Sequence, residues 1–142
     1  MVRVAQETEI IKGILRLGTF LHREGSRLLS ELGLNQQQFV VLKEIQEKGS
    51  VSQKEICSDL LLEKSNVSKI IKKLESERLI KIVFSHEDNR ISLLTTTKNG
   101  KKIINRGMQL LNEWNKKLLE SLSEKDMKHA VYVLGKLEAI SK

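Results

Sequence analysis

The chain has 142 residues, enough for one domain with a core of its own. Its 25 Lys and Arg against 18 Asp and Glu give a net charge of +7, a balance that favours a polyanionic partner, nucleic acid before an anionic membrane surface. The single cysteine, Cys57, excludes a disulfide framework or a cysteine-based zinc cluster, and no uncharged apolar run reaches the ~18 residues of a membrane span.

From about Val4 to Leu32 the pattern is helical. Ile10, Ile14, Leu17 and Leu21 share a stripe, extended by Ile11, Gly18, Leu28 and Leu32. Arg3, Glu7, Glu9, Lys12 and Arg16 are mixed among them, unlike a signal peptide, so a cytoplasmic location is expected. Gly33 is a C-cap candidate. Gly13, Gly18 and Gly25 each weaken a helix by up to ~1 kcal/mol relative to alanine. Close packing or a bend would account for them, and the sequence leaves both open.

Asn35 opens a second helix, with Gln38 placed to complete a capping box. Phe39, Leu42 and Ile45 form its apolar stripe, and Gly49 closes it. A third, shorter helix begins at Ser52, with Glu55 in the box position. About four residues later comes Ser65 to Leu74, SNVSKIIKKL. Val67, Ile70, Ile71 and Leu74 fall on one side at i, i+3, i+4 and i+7. The opposite side carries Ser65, Lys69, Lys72 and Ser76, with Asn66, Ser68 and Lys73 on the flanks. Taken alone, these ten residues suit a solvated surface helix. The tight spacing between the two patterns suits a helix-turn-helix whose second helix is presented outward.

Leu79 to Phe84 and Ile91 to Thr95 are β-branched-rich runs around the polar hexad 85–90, which reads as a hairpin. Thr97 is placed to cap a long helix through about Leu122, with Ile103, Ile104, Met108, Leu111, Trp114 and Leu118 at helical spacing. Ser123 with Asp126 opens a last helix, lined by Val131, Leu134, Leu137 and Ile140. The expected fold is mainly α with a small β-hairpin wing, a winged helix-turn-helix.

In this order the chain resembles the MarR family of transcription regulators. The resemblance runs along SQKEICSDLLLEKSNVSKIIKKLESERLIKIVFSHEDNRISLLTTTKNG, and more loosely through nearly the whole chain. Its most specific piece is Asp88-Asn89-Arg90 in the hairpin loop, followed by Thr97-Lys98-Asn99-Gly100. There are departures. Glu63 stands for a Ser-like cap, Leu61 for a small turn residue, Arg78 for a glycine and Thr96 for a leucine. The resemblance implies a single MarR-like domain over 1–142. Its DNA-binding part would be 34–100, and the segments 1–33 and 101–142 would be long dimerisation helices interleaved with those of a second copy. The apolar surplus of the terminal helices agrees, since large exposed apolar patches usually mark an interface.

Ser65, Asn66, Ser68 and Lys69 lie in the first turns of the basic helix and are the candidates for contacts to base edges. Ser52, Gln53, Lys54, Lys64, Lys72 and Lys73 are better placed for phosphates, which fix register without specifying sequence. On the wing, Arg90 is placed to enter the minor groove. Asp88 would orient it by resemblance, or serve only as a turn residue. Asn89 and His86 complete the loop, His86 as a solvent-facing residue near phosphate.

Catalysis has no constellation behind it. His22, His86 and His129 fall in different elements, and no H-E-x-x-H, C-x-x-C, G-x-S-x-G or glycine-rich phosphate loop occurs. No metal and no cofactor is expected. Cys57 is read as a small core residue in preference to a redox sensor. The expected partners are an inverted-repeat DNA duplex and a second copy of the chain. By resemblance, a small aromatic or anionic effector would release a repressor. No residues can be named for that effector. The competing reading is a winged-helix architectural or protein-interaction module without operator specificity.

Overall fold

The computed structural model describes residues 1–85, 87 and 91–142. Helix α1 spans Val2–Leu29 and passes into a 3-10 turn, Ser30–Leu32. Gly33 ends it in the left-handed region at φ 74°. The last turn tightens because Ser30 Oγ donates to the Arg27 carbonyl at 2.8 Å and Gly33 N–H donates to the Ser30 carbonyl at 3.0 Å. The α-helix therefore stops three residues before the expected boundary.

Helix α2 is Gln36–Lys48, α3 is Gln53–Leu60 and α4 is Lys64–Ser76. The boxes expected at Asn35/Gln38 and Ser52/Glu55 both form. Glu63 makes no side-chain cap, and α4 begins at Lys64, one residue before Ser65. Strands β1, Ile80–Phe84, and β2, Ser92–Thr96, pair antiparallel with Ile82 opposite Leu94. Val51 adds a single bridge to Leu94, so the link before α3 touches the wing sheet. Helix α5, Lys98–Leu119, starts at the Thr97 cap, and α6, Glu124–Ser141, starts at the Ser123/Asp126 box. Helix α5 ends at Leu119 and not at Leu122, because the chain turns there, with Leu122 N–H donating to the Leu119 carbonyl at 3.0 Å.

One core holds the middle of the chain together. Leu29, Phe39, Val41, Leu42 and Ile45 meet Ile56 of α3, Val67, Ile70, Ile71 and Leu74 of α4, Leu94 of β2, and Ile104 and Leu111 of α5. Cys57 is half-buried and packs against this cluster. Each fully buried aliphatic side chain contributes about 1.5–3 kcal/mol, against about 0–1 kcal/mol for a surface ion pair. The apolar stripe of α4 therefore decides which face turns inward, and its lysines follow.

The ends of the chain behave differently. Ile10, Ile14, Leu17 and Leu21 of α1 are exposed, and no residue of α6 is buried. Val131 is 71% and Ile140 82% accessible, which for aliphatic side chains on a regular helix is a large uncovered area. The C-terminal half of α1 is covered better. There Phe20 lies against Trp114 of α5, with ring centroids 5.8 Å apart.

Candidate nucleic-acid interface

With its stripe buried, α4 turns Ser65, Lys69, Lys72 and Ser76 outward, and all four are exposed. Lys64 at the helix start and Lys54 on α3 are exposed as well. Lys73, on one flank, pairs with Glu77 at 3.0 Å. An i,i+4 surface pair of this kind is worth about 0.3–0.5 kcal/mol, too little to withhold the lysine from a phosphate.

The remaining polar residues of the first turns are engaged within the protein. Gln53 Nε2 donates to Ser68 Oγ at 2.6 Å and to the Lys64 carbonyl at 3.4 Å. On the opposite flank Asn66 Nδ2 donates to Gln37 Oε1 of α2 at 2.9 Å. Asn66 and Ser68 are half-buried. Ser52 is the N-cap of α3, accepting from Glu55 N–H at 3.2 Å and donating to Glu55 Oε1 at 3.0 Å. The structure therefore brings Ser65, Lys69, Lys72 and Ser76 together on one open face, with Lys64 exposed at the helix start, and sets Asn66, Ser68 and Gln53 at its margins. Gln37 was not singled out from the sequence. It stands 29 residues before Asn66, and nothing in the local pattern of α2 marks it.

The wing leaves the core beside this face. Thr97 anchors its base, donating through Oγ1 to the Arg78 carbonyl at 2.7 Å and accepting from Gly100 N–H at 3.1 Å. Of the hairpin, Lys81 and Phe84 are exposed. His86, Asp88, Asn89 and Arg90 lie outside the described residues. Among the described residues no group of three or more His, Cys, Asp or Glu could hold a metal ion. No helix there is long and apolar enough to cross a membrane.

A helix-turn-helix of α3 and α4, backed by α2 and flanked by a two-stranded wing, defines a winged-helix protein. The MarR family model matches residues 34–92, which contain these elements through the first residue of β2. The HTH-type transcriptional regulator BilQ of Clostridium symbiosum (strain WAL-14163) is 29% identical over 93 residues, which cover 66% of this chain. The match spans 65% of that relative's own length, just under two thirds. The transcriptional regulator BldR from Sulfolobus solfataricus superposes with a TM-score of 0.89 at 17% identity, covering 98% of this chain and 99% of its own. A cysteine-to-serine mutant of MarR from E. coli, solved in complex with operator DNA, superposes with a TM-score of 0.74 at 23% identity, covering 89% and 94%. At these identities the two structures speak for the fold. Over residues 34–92 the chain is similar to the MarR family, and its fold is that of the winged-helix transcriptional regulators it superposes on.

Proposed function

We propose that this chain is a sequence-specific double-stranded DNA-binding regulator, acting as a homodimeric repressor in the cytoplasm and released by a small aromatic or anionic ligand. The open face of α4 carries the reading. A helix whose apolar side is fully committed to the core presents two serines and two lysines together at its surface. That combination offers hydrogen-bond partners for base edges and cations for phosphates on one helix of major-groove width. The match of residues 34–92 to the MarR family model and the structural neighbour solved with operator DNA support the same partner.

In this reading Ser65 and Lys69 meet base edges, with Asn66 and Ser68 at the sides. Lys54, Lys64, Lys72 and Lys73 meet phosphates, with Ser52 and Gln53 at the margin. Arg90, with Asp88, Asn89 and His86 around it, serves the adjacent minor groove. The segments 1–33 and 101–142 pair with those of a second copy, which the uncovered stripes of α1 and α6 support.

Fluorescence anisotropy tests the proposal, with a duplex from the gene's own upstream region set against random duplex of equal length. Specific binding should exceed non-specific binding by at least about a thousandfold. The logarithm of affinity should fall against log salt with a slope of roughly −0.9 per neutralised phosphate. Equal binding of both duplexes would point to the architectural module, and a salt-independent affinity would remove the lysine contacts.

A further inference from the structure

The base-reading part of α4 is held from both sides by side-chain hydrogen bonds that nothing in its own sequence foretells. Gln53 grips Ser68 from α3, and Gln37 grips Asn66 from α2. At about 100° per residue, Asn66 and Ser68 lie some 160° apart around the helix, on either side of the outward face of Ser65, Lys69 and Lys72. Two ties on opposite flanks resist rotation of the helix about its own axis. The apolar stripe does this less well, because aliphatic contacts are non-directional and tolerate small rolls. The Asn66 tie has a second effect. It uses one N–H of the carboxamide and fixes which way the amide points. The other N–H and the oxygen make no further hydrogen bond to a side chain or backbone group among the described residues.

We propose that Gln37 of α2 is a specificity-determining positioning residue, which orients the Asn66 carboxamide toward a base edge and sets the roll of α4 in the groove. This rests on the reading of α4 as the base-reading helix. Gln37 itself touches no base. It acts through Asn66, and its loss spoils selection among duplexes more than attraction to duplex as such. Attraction comes from lysines whose long, exposed side chains follow a small roll without losing a phosphate.

The test is binding to a randomised duplex library, with random duplex as the non-specific reference and thermal unfolding as the folding control. The proteins are wild type, Gln37→Leu, Gln37→Glu, Asn66→Ala and the double variant Gln37→Leu/Asn66→Ala. Leucine keeps the approximate volume of Gln37 and removes the acceptor, whereas glutamate keeps an oxygen for Asn66 Nδ2. Gln37→Leu should lower discrimination roughly tenfold at one base-pair position per half-site, the same position that Asn66→Ala relaxes. Non-specific affinity should stay within about twofold, because the phosphate contacts are untouched. Gln37→Glu should restore most of the discrimination, and Gln37→Leu should add nothing in the Asn66→Ala background. Unchanged selectivity in Gln37→Leu overturns the proposal while leaving the regulator reading intact. So does a parallel loss of specific affinity, non-specific affinity and thermal stability, which is the mark of a purely structural residue. A wild-type protein without sequence preference removes both.

Discussion

Gly107 of α5 lies flat against the ring of Phe39 on α2, so closely that a Cβ built on the glycine overlaps the ring and comes within 2.6 Å of Cζ. Phe39 is 1% accessible and has little room to retreat. This contact joins the second helix of the reading head to the long helix that leads out to α6.

Gly107→Ala should destabilise the protein. Alanine gains up to ~1 kcal/mol of helix propensity, but overpacking a full core costs about 1–3 kcal/mol, and the depth of the overlap puts this site at the upper end. The midpoint of urea unfolding should fall by a corresponding amount. An unchanged or higher midpoint would show that the ring moves aside at no cost.

Leu61 and Arg78 have φ angles of 56° and 61°, in the left-handed region. They are two of the positions where the sequence departs from the MarR pattern it resembles. Left-handed backbone costs a side-chain-bearing residue about 1–2 kcal/mol, and glycine gives back roughly 0.5–1 kcal/mol of that through its freer unfolded state. Arg78 is exposed, so little burial is lost there, whereas Leu61 is 45% accessible and its side chain still covers apolar surface. Arg78→Gly should raise stability by ~0.5 kcal/mol, and Leu61→Gly should gain less or nothing, because the apolar burial of the leucine offsets the relief of strain. Denaturant midpoints at constant slope are the measurement, and a fall for Arg78→Gly would contradict the strain argument.

The terminal helices should join two copies. Sedimentation at micromolar concentration should give about twice 16.3 kDa. Leu134→Glu on α6 and Leu17→Glu on α1 place a charge on stripes that are exposed in the single chain. Such substitutions are nearly neutral on a free surface and costly in an apolar interface. Both variants should dissociate at concentrations where wild type remains paired. If wild type sediments as a monomer and still binds its operator, this arrangement is wrong.

Recognition helix and wing should fail in different ways. Lys69→Ala should cost about 1–3 kcal/mol on the preferred operator and relax one or two positions of each half-site. Arg90→Ala should weaken all duplexes more evenly and flatten the salt slope by about one unit per subunit. Half-sites should lie one helical turn apart, ~34–36 Å, or a multiple of that. Binding to a randomised operator, with circular dichroism as control, separates the two variants. If Arg90→Ala rewrites the preferred sequence while Lys69→Ala leaves it intact, the reading element has been misassigned.

Features written within a few residues of one another were determined by the sequence alone. The caps at Asn35, Ser52, Thr97 and Ser123 each need only a partner three residues ahead, and all four form. The inward stripe of α4 and its outward Ser65, Lys69 and Lys72 follow from helical period once the apolar residues are buried. What joins distant segments was decided only in the folded molecule. Gly13 and Gly18 face open space, whereas Gly25 abuts Gln36 and Gly107 abuts Phe39, and the letter G is the same in each. Asn66 and Ser68 read as free polar groups beside Lys69, yet each is bound to a glutamine on another helix, 29 and 15 residues away. The physical reason is that helical period sets the direction of a side chain about its own axis. What that side chain meets depends on where the other helices come to rest against the shared core.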